Sequence, residues 1–162
     1  MIALKNILVP VDFNDASTAA LKYGIGLARV FDAKLHVLHV AEHPGEMAEA
    51  EYPIGLFETM QNAAHERLGE LLTEREIHDL HPERVMRIGT PSDEIVRYAA
   101  ERGIDLIVMG THGRTGVARV LMGSVAETVV RRAFCPVLTM HHPAREVVMA
   151  DQPLPRVAEA IA

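Results

Sequence analysis

An open, five-stranded parallel α/β sheet with helices on both faces is the fold class that this sequence predicts. Three observations predict it. Short apolar runs alternate four times with longer segments of helical period, and a fifth apolar run closes the series. The first, second and fourth runs are nearly continuous in Ile, Leu and Val, as in strands covered on both faces. The length of 162 residues suits one domain with a single core, burying roughly two-thirds of its unfolded surface.

The elements follow in chain order. Asn6 to Val11 is the first strand. Asn14 or Asp15 can cap the helix that follows, where Ala16, Ala20, Tyr23, Leu27 and Val30 form an apolar stripe at steps of three and four. Lys34 to Val40 is the second strand. Residues 41–55, rich in Glu and broken by Pro44, Gly45 and Pro53, predict a long surface connection. Leu56, Met60, Ala64, Leu68, Leu71 and Leu72 mark the second helix.

Arg84 to Ile88 alternates in polarity and predicts a peripheral third strand. Thr90-Pro91-Ser92-Asp93 opens the third helix with a hydroxyl at the cap, proline in the first turn and an acid three residues on. Gly103 stops that helix. Leu106 to Met109 is the fourth strand, Ser124 to Arg132 the fourth helix and Val137 to Met140 the last strand. Crossovers in such a sheet are right-handed. Residues 1–140 form the domain, and the proline-broken residues 141–162 form a tail with a short helix at Val157 to Ile161.

A formal net charge of −6 argues against nucleic acid, whose phosphates want a basic face. The cations are 13 Arg and three Lys, and no lysine follows Lys34. Cys135 excludes an intrachain disulfide and is read as a small buried residue. The N-terminus runs straight into strand-like sequence without a basic-then-apolar leader, and no apolar run approaches the ~20 residues of a membrane span. A cytoplasmic protein is expected.

The stretch richest in chemistry is Met109-Gly110-Thr111-His112-Gly113-Arg114-Thr115-Gly116, with Gly123-Ser124-Val125 beyond it. It leaves a buried strand and enters a helix, the place where open parallel sheets bind ligands. Glycines admit close backbone approach, and successive N–H groups and a helix start attract anionic oxygens. A lysine-containing Walker loop is absent. A phosphate here rests on backbone amides, Arg114 and the Ser124 hydroxyl. On spacing alone the glycines serve a tight crossover equally well.

Gly110-x2-Gly113-x9-Gly123-Ser124 resembles the G-x2-G-x9-G-[ST] signature of ATP-binding universal stress proteins. The likeness extends to Asn6-Ile7-Leu8-Val9-Pro10-Val11-Asp12, Lys34 to Val40, Gly89-Thr90-Pro91, Asp105 to Gly113 and Cys135-Pro136-Val137-Leu138, in the family's order. The resemblance implies a Rossmann-like, adenine nucleotide alpha hydrolase-like sheet of strand order 3-2-1-4-5. It implies ATP, with adenine against Val11 and Val40 and near Met109. Asp12 and the Pro10 and Val40 backbones would contact base or ribose. Gly110, Gly113, Arg114, Gly123, Ser124 and Val125 would hold the phosphates, with His112 and Gly116 in the same loop and Mg²⁺ or Mn²⁺ as an optional companion. It also implies a homodimer through Val137 to Met140 and a nucleotide-dependent regulatory role toward another protein. Asp12 has a second reading, an Asx turn before the first helix. Phe13 stands where many relatives have a small residue.

A slow ATP hydrolase or phosphotransferase is the competing function, with His112 as the candidate base in the loop. The loop lacks a kinase-type or Walker-type metal ligand set. A receiver-type domain needs an acid ending the third strand and a lysine ending the fifth, where Ile88-Gly89 and Met140-His141 stand. The nine histidines show no zinc-ligand spacing; His36 and His39, three apart in a strand, face opposite sides.

Overall fold

The computed structural model describes residues 3–42, 55–111 and 123–141. Strands β1 (Asn6–Pro10), β2 (Lys34–Ala41), β3 (Glu83–Ile88), β4 (Leu106–Gly110) and β5 (Val137–Met140) form one parallel sheet in the order β3-β2-β1-β4-β5. The helices are α1 (Asp15–Phe31), α2 (Leu56–Glu70), α3 (Glu74–Leu80), α4 (Pro91–Glu101) and α5 (Ser124–Arg132). The predicted class and strand order hold. Alternating β3 lies at the sheet edge, with every residue only partly buried.

Side chains leave the sheet alternately to two apolar layers. Ile7, Val9, Leu35 and Val37 pack under α1 and α2, joined by Leu68, while Ile77 and Leu80 of α3 add to the rim. Leu8, Leu38, Ile107 and Met109 pack under α4 and α5 with Ile95, Tyr98 and Val129. Fully burying a side chain of this size stabilises by about 1.5–3 kcal/mol. The sheet is therefore held from both sides, as continuous apolar strands require.

Asn14 caps α1 by accepting from the Ser17 N–H at 2.7 Å. The predicted stripe on α1 is only partly the buried one. Tyr23 and Val30 are exposed, and Ser17, Ala20, Leu21, Gly24, Ile25 and Ala28 face the sheet. Small residues four apart let the helix lie close to β1, and close contact outweighed residue size in choosing the face.

The second predicted helix is two helices. α2 stops before Leu71, and α3 starts with a capping box, Thr73 Oγ1 accepting from the Glu76 N–H and Glu76 accepting from the Thr73 N–H. Leu72 is still buried, but beyond the end of α2. Thr90 occupies the cap position of α4, yet its hydroxyl makes no capping bond. Gly103, at φ +57°, ends that helix as expected. Cys135 is half-buried, which corrects the fully buried expectation, and burial pushes its thiol above the ordinary value. Its neighbour Phe134 is 89% exposed.

His36 and His39 do point to opposite faces. His36 is buried, with Nδ1 2.9 Å from the Tyr98 hydroxyl and Nε2 3.4 Å from Asn6 Oδ1. Burial holds its imidazole below the usual histidine range. The Tyr98 hydroxyl also approaches Glu83, which pairs with Lys34 at 2.6 Å and Arg102 at 2.9 Å. Burial pushes the Tyr98 phenol up to about 12. His36 and His39 thus make separate structural bonds, and no group of three His, Cys, Asp or Glu gathers to hold a metal among the described residues.

Candidate functional site

A crevice of about 640 Å³ opens beyond the carboxyl ends of β1, β2 and β4. β1 lies between β2 and β4, so the connections from neighbouring strands leave in opposite directions there, as at a topological switch point. The volume falls in the range of small-molecule and cofactor sites, ~300–1,000 Å³.

Nine predicted residues line it together: Pro10 at the end of β1 with Val11 and Asp12 just beyond it, Val40 from β2, Met109 and Gly110 from β4, and Gly123, Ser124 and Val125 at the start of α5. His112, Gly113, Arg114 and Gly116 lie outside the described residues.

The β1 end is fixed by backbone bonds and an Asx turn. The Val11 N–H donates to the Leu38 carbonyl at 2.8 Å. The Asn14 N–H donates to Asp12 Oδ1 at 3.2 Å and its Nδ2 to Oδ2 at 3.0 Å, while the Asp12 N–H reaches Ser17 Oγ at 3.3 Å. The turn reading of Asp12 is thus present, and the residue also lines the crevice.

At the β4 end, Thr111 is almost fully buried, and its N–H and hydroxyl both donate to the Met140 carbonyl. Its carbonyl accepts from the Gly123 N–H, which carries the chain into α5. Gly123 occupies the N-cap position and no side chain caps the helix. The first-turn amides there are suited to an anion, with the positive end of the helix dipole behind them. Gly110 has a structural duty as well. A Cβ on it would stand 2.9 Å from the Ala16 carbonyl carbon.

Among the other lining residues, Phe13, His39 and Arg67 form a stack that sequence reasoning did not foresee. Phe13 adopts φ +66°, a left-handed conformation, in the turn before α1. Its ring packs on His39, with centroids 4.5 Å apart, and His39 Nδ1 donates to the Val11 carbonyl at 2.9 Å. The Arg67 guanidinium, from α2, lies 3.8 Å from the Phe13 ring centre. Arg67 is the sole lysine or arginine lining the crevice among the described residues; the acids are Asp12 and Glu42. Only α2 packing brings Arg67 here, and its place in the sequence carries no signal of that.

Comparison with known proteins agrees with this geometry. The Universal stress protein family matches residues 3–141. Universal stress protein MJ0531 of Methanocaldococcus jannaschii is 37% identical over 145 residues, covering 88% of this chain and 85% of the relative. Universal stress protein UspA from Lactobacillus plantarum superimposes with a TM-score of 0.71 at 29% identity, covering 86% of this chain and 99% of that one. A universal stress protein solved in complex with cAMP is 26% identical with a TM-score of 0.57, covering 86% and 98%. Family match, relatives and sheet order converge, and the chain belongs to the universal stress protein family.

Proposed function

We propose that this protein is a cytoplasmic, homodimeric regulatory module that binds ATP in the crevice and has no dedicated catalytic activity. The observation that carries the reading is the meeting of nine separately predicted residues around one crevice, with the uncapped start of α5 at its edge. The related protein solved with cAMP supports a nucleotide as the ligand class.

Val11, Val40 and Met109 offer the adenine apolar contact, and Asp12 a partner for base or ribose. Backbone amides of Gly123, Ser124 and Val125 receive phosphate oxygens, joined by His112, Gly113, Arg114 and Gly116. Mg²⁺ or Mn²⁺ would be held by phosphate oxygens and water, since the described acids of the crevice are Asp12, tied to Asn14, and Glu42. When bound, the metal would neutralise phosphate charge. ATP occupancy regulates a partner protein only by making different contacts in the two states.

The dimer forms through β5. Among the described residues β5 is an edge strand, and the adjacent Val130, Phe134 and Leu138 are exposed. Pairing across a two-fold axis removes that edge. No helix among the described residues is long and apolar enough to cross a membrane. The cytoplasm also suits the free thiol of Cys135.

Gly123→Val tests the proposal. Gly123 has φ −57° and ψ 149°, which valine adopts without strain, so the fold survives while a branched side chain enters the anion site. Calorimetry is expected to show ATP binding to the wild type and none to the variant. Unchanged affinity removes the crevice as the site. With Mg²⁺ present, turnover by the wild type stays below about 1 s⁻¹, the low end of ordinary enzymes.

A further inference from the structure

We infer that Arg67 is a specificity-determining residue of this crevice, stacking its guanidinium on the base of the bound nucleotide. The inference rests on the nucleotide reading above and adds to it the group that covers the base.

Arg67 is positioned by packing rather than by charge. The next residue, Leu68, is fully buried beneath α2 and Ala64 nearly so, which fixes the helix on the sheet. Arg67 makes no ion pair among the described residues, although Asp12 and Glu42 border the same crevice. Its guanidinium instead sits 3.8 Å from the Phe13 ring centre. Phe13 leans on His39, and His39 is tied to the Val11 carbonyl. The guanidinium therefore rests on a platform anchored to the end of β1.

The platform stands at the base end of the crevice. Phe13 packs with the α1 and α2 layer, whereas Ala126 of α5 belongs to the opposite layer. β1 separates β2, which brings His39 and Val40, from β4, which leads toward α5. Neighbouring strands lie ~4.8 Å apart, so the two ends are separated by roughly 10 Å across the sheet. A triphosphate on the α5 amides leaves the base beside Val40 and Arg67.

A planar, weakly hydrated guanidinium with one face on an aromatic ring can offer its other face to a base. An ammonium group lacks that face. The larger ring system of a purine gains more from the contact than a pyrimidine. Arg67 thus favours purine nucleotides through stacking, while the phosphates are read elsewhere.

The test is calorimetry on Arg67→Ala and Arg67→Lys with ATP, UTP, adenosine and inorganic tripolyphosphate. ATP and adenosine are expected to lose about tenfold in affinity in both variants, tripolyphosphate none, and the preference for ATP over UTP to shrink. The exposed position of Arg67 and the high helix propensity of alanine keep the unliganded melting temperature near that of the wild type. Losses confined to ATP and tripolyphosphate, restored by lysine, would mean a phosphate contact and overturn the inference. Variants indistinguishable from the wild type overturn it too, and leave nucleotide binding standing. Wild-type protein that binds neither ATP nor adenosine overturns the nucleotide reading itself, and this inference with it.

Discussion

Replacing Gly110 by alanine separates two reasons for a glycine at the end of β4. A Cβ there would stand 2.9 Å from the Ala16 carbonyl carbon, 3.0 Å from its Cβ and 3.1 Å from its oxygen. Ala16 is 5% exposed and lies in the first turn of α1, behind the Asn14 cap. No rotamer change relieves the contact, so backbone must move. Overpacking of this kind costs ~1–3 kcal/mol. Alanine also restricts the unfolded chain, which offsets ~0.4–1 kcal/mol. The steric effect wins over nearly all of this range, with a net loss of about 0–2.6 kcal/mol. At ~3 °C per kcal/mol for a domain of this size, melting falls by up to about 8 °C. Urea denaturation of nucleotide-free protein is expected to show a lower midpoint with an unchanged slope. A variant as stable as the wild type, impaired only in ATP affinity, would refute the packing explanation and assign the glycine to the ligand.

The buried imidazole gives a pH dependence of definite sign. Burial depresses the folded-state value of His36, so the unfolded chain takes up the proton first, near its ordinary 6.5. The stability contribution is present above that pH and is lost as pH falls below it. Lys34 and Arg102 oppose the charged imidazole and Glu83 favours it, but burial dominates. Glu83, depressed from 4.5 chiefly by its Lys34 bond, acts at lower pH, and between pH 7 and 5 the comparison with His36→Gln separates His36 from the other histidines. Denaturation midpoints should fall through that window in the wild type, by no more than about 1.4 kcal/mol per pH unit, and less steeply in His36→Gln. Equal slopes would remove His36 as the cause. At the sheet edge, Leu138→Lys should leave a folded monomer by light scattering, and a persisting dimer would move the interface away from β5.

Continuous Ile, Leu and Val in three strands made the central sheet legible, and the alternation of Arg84 to Ile88 marked an edge. Ser124 to Arg132 was bounded correctly because Gly123 precedes it and two arginines close it. Reading failed where size was taken for burial. Tyr23 and Val30 continued a plausible stripe on α1, but the sheet receives Ala20, Gly24 and Ala28. Leu71 and Leu72 prolonged α2 in the sequence, although Thr73 and Glu76 already carried the signal of a new start. Site residues next to β1, β2, β4 and α5 were legible through their spacing. Arg67 was not, because its position depends on Leu68 docking against strands distant in sequence.

Phe13 gives the turn after β1 a cost that another residue would avoid. A side chain in the left-handed region carries a penalty of roughly 1–2 kcal/mol, which glycine escapes. Glycine would also take away the aromatic surface on which His39 and Arg67 rest. Backbone cost and aromatic contact thus meet at one residue of the crevice wall, and relieving the first would forfeit the second.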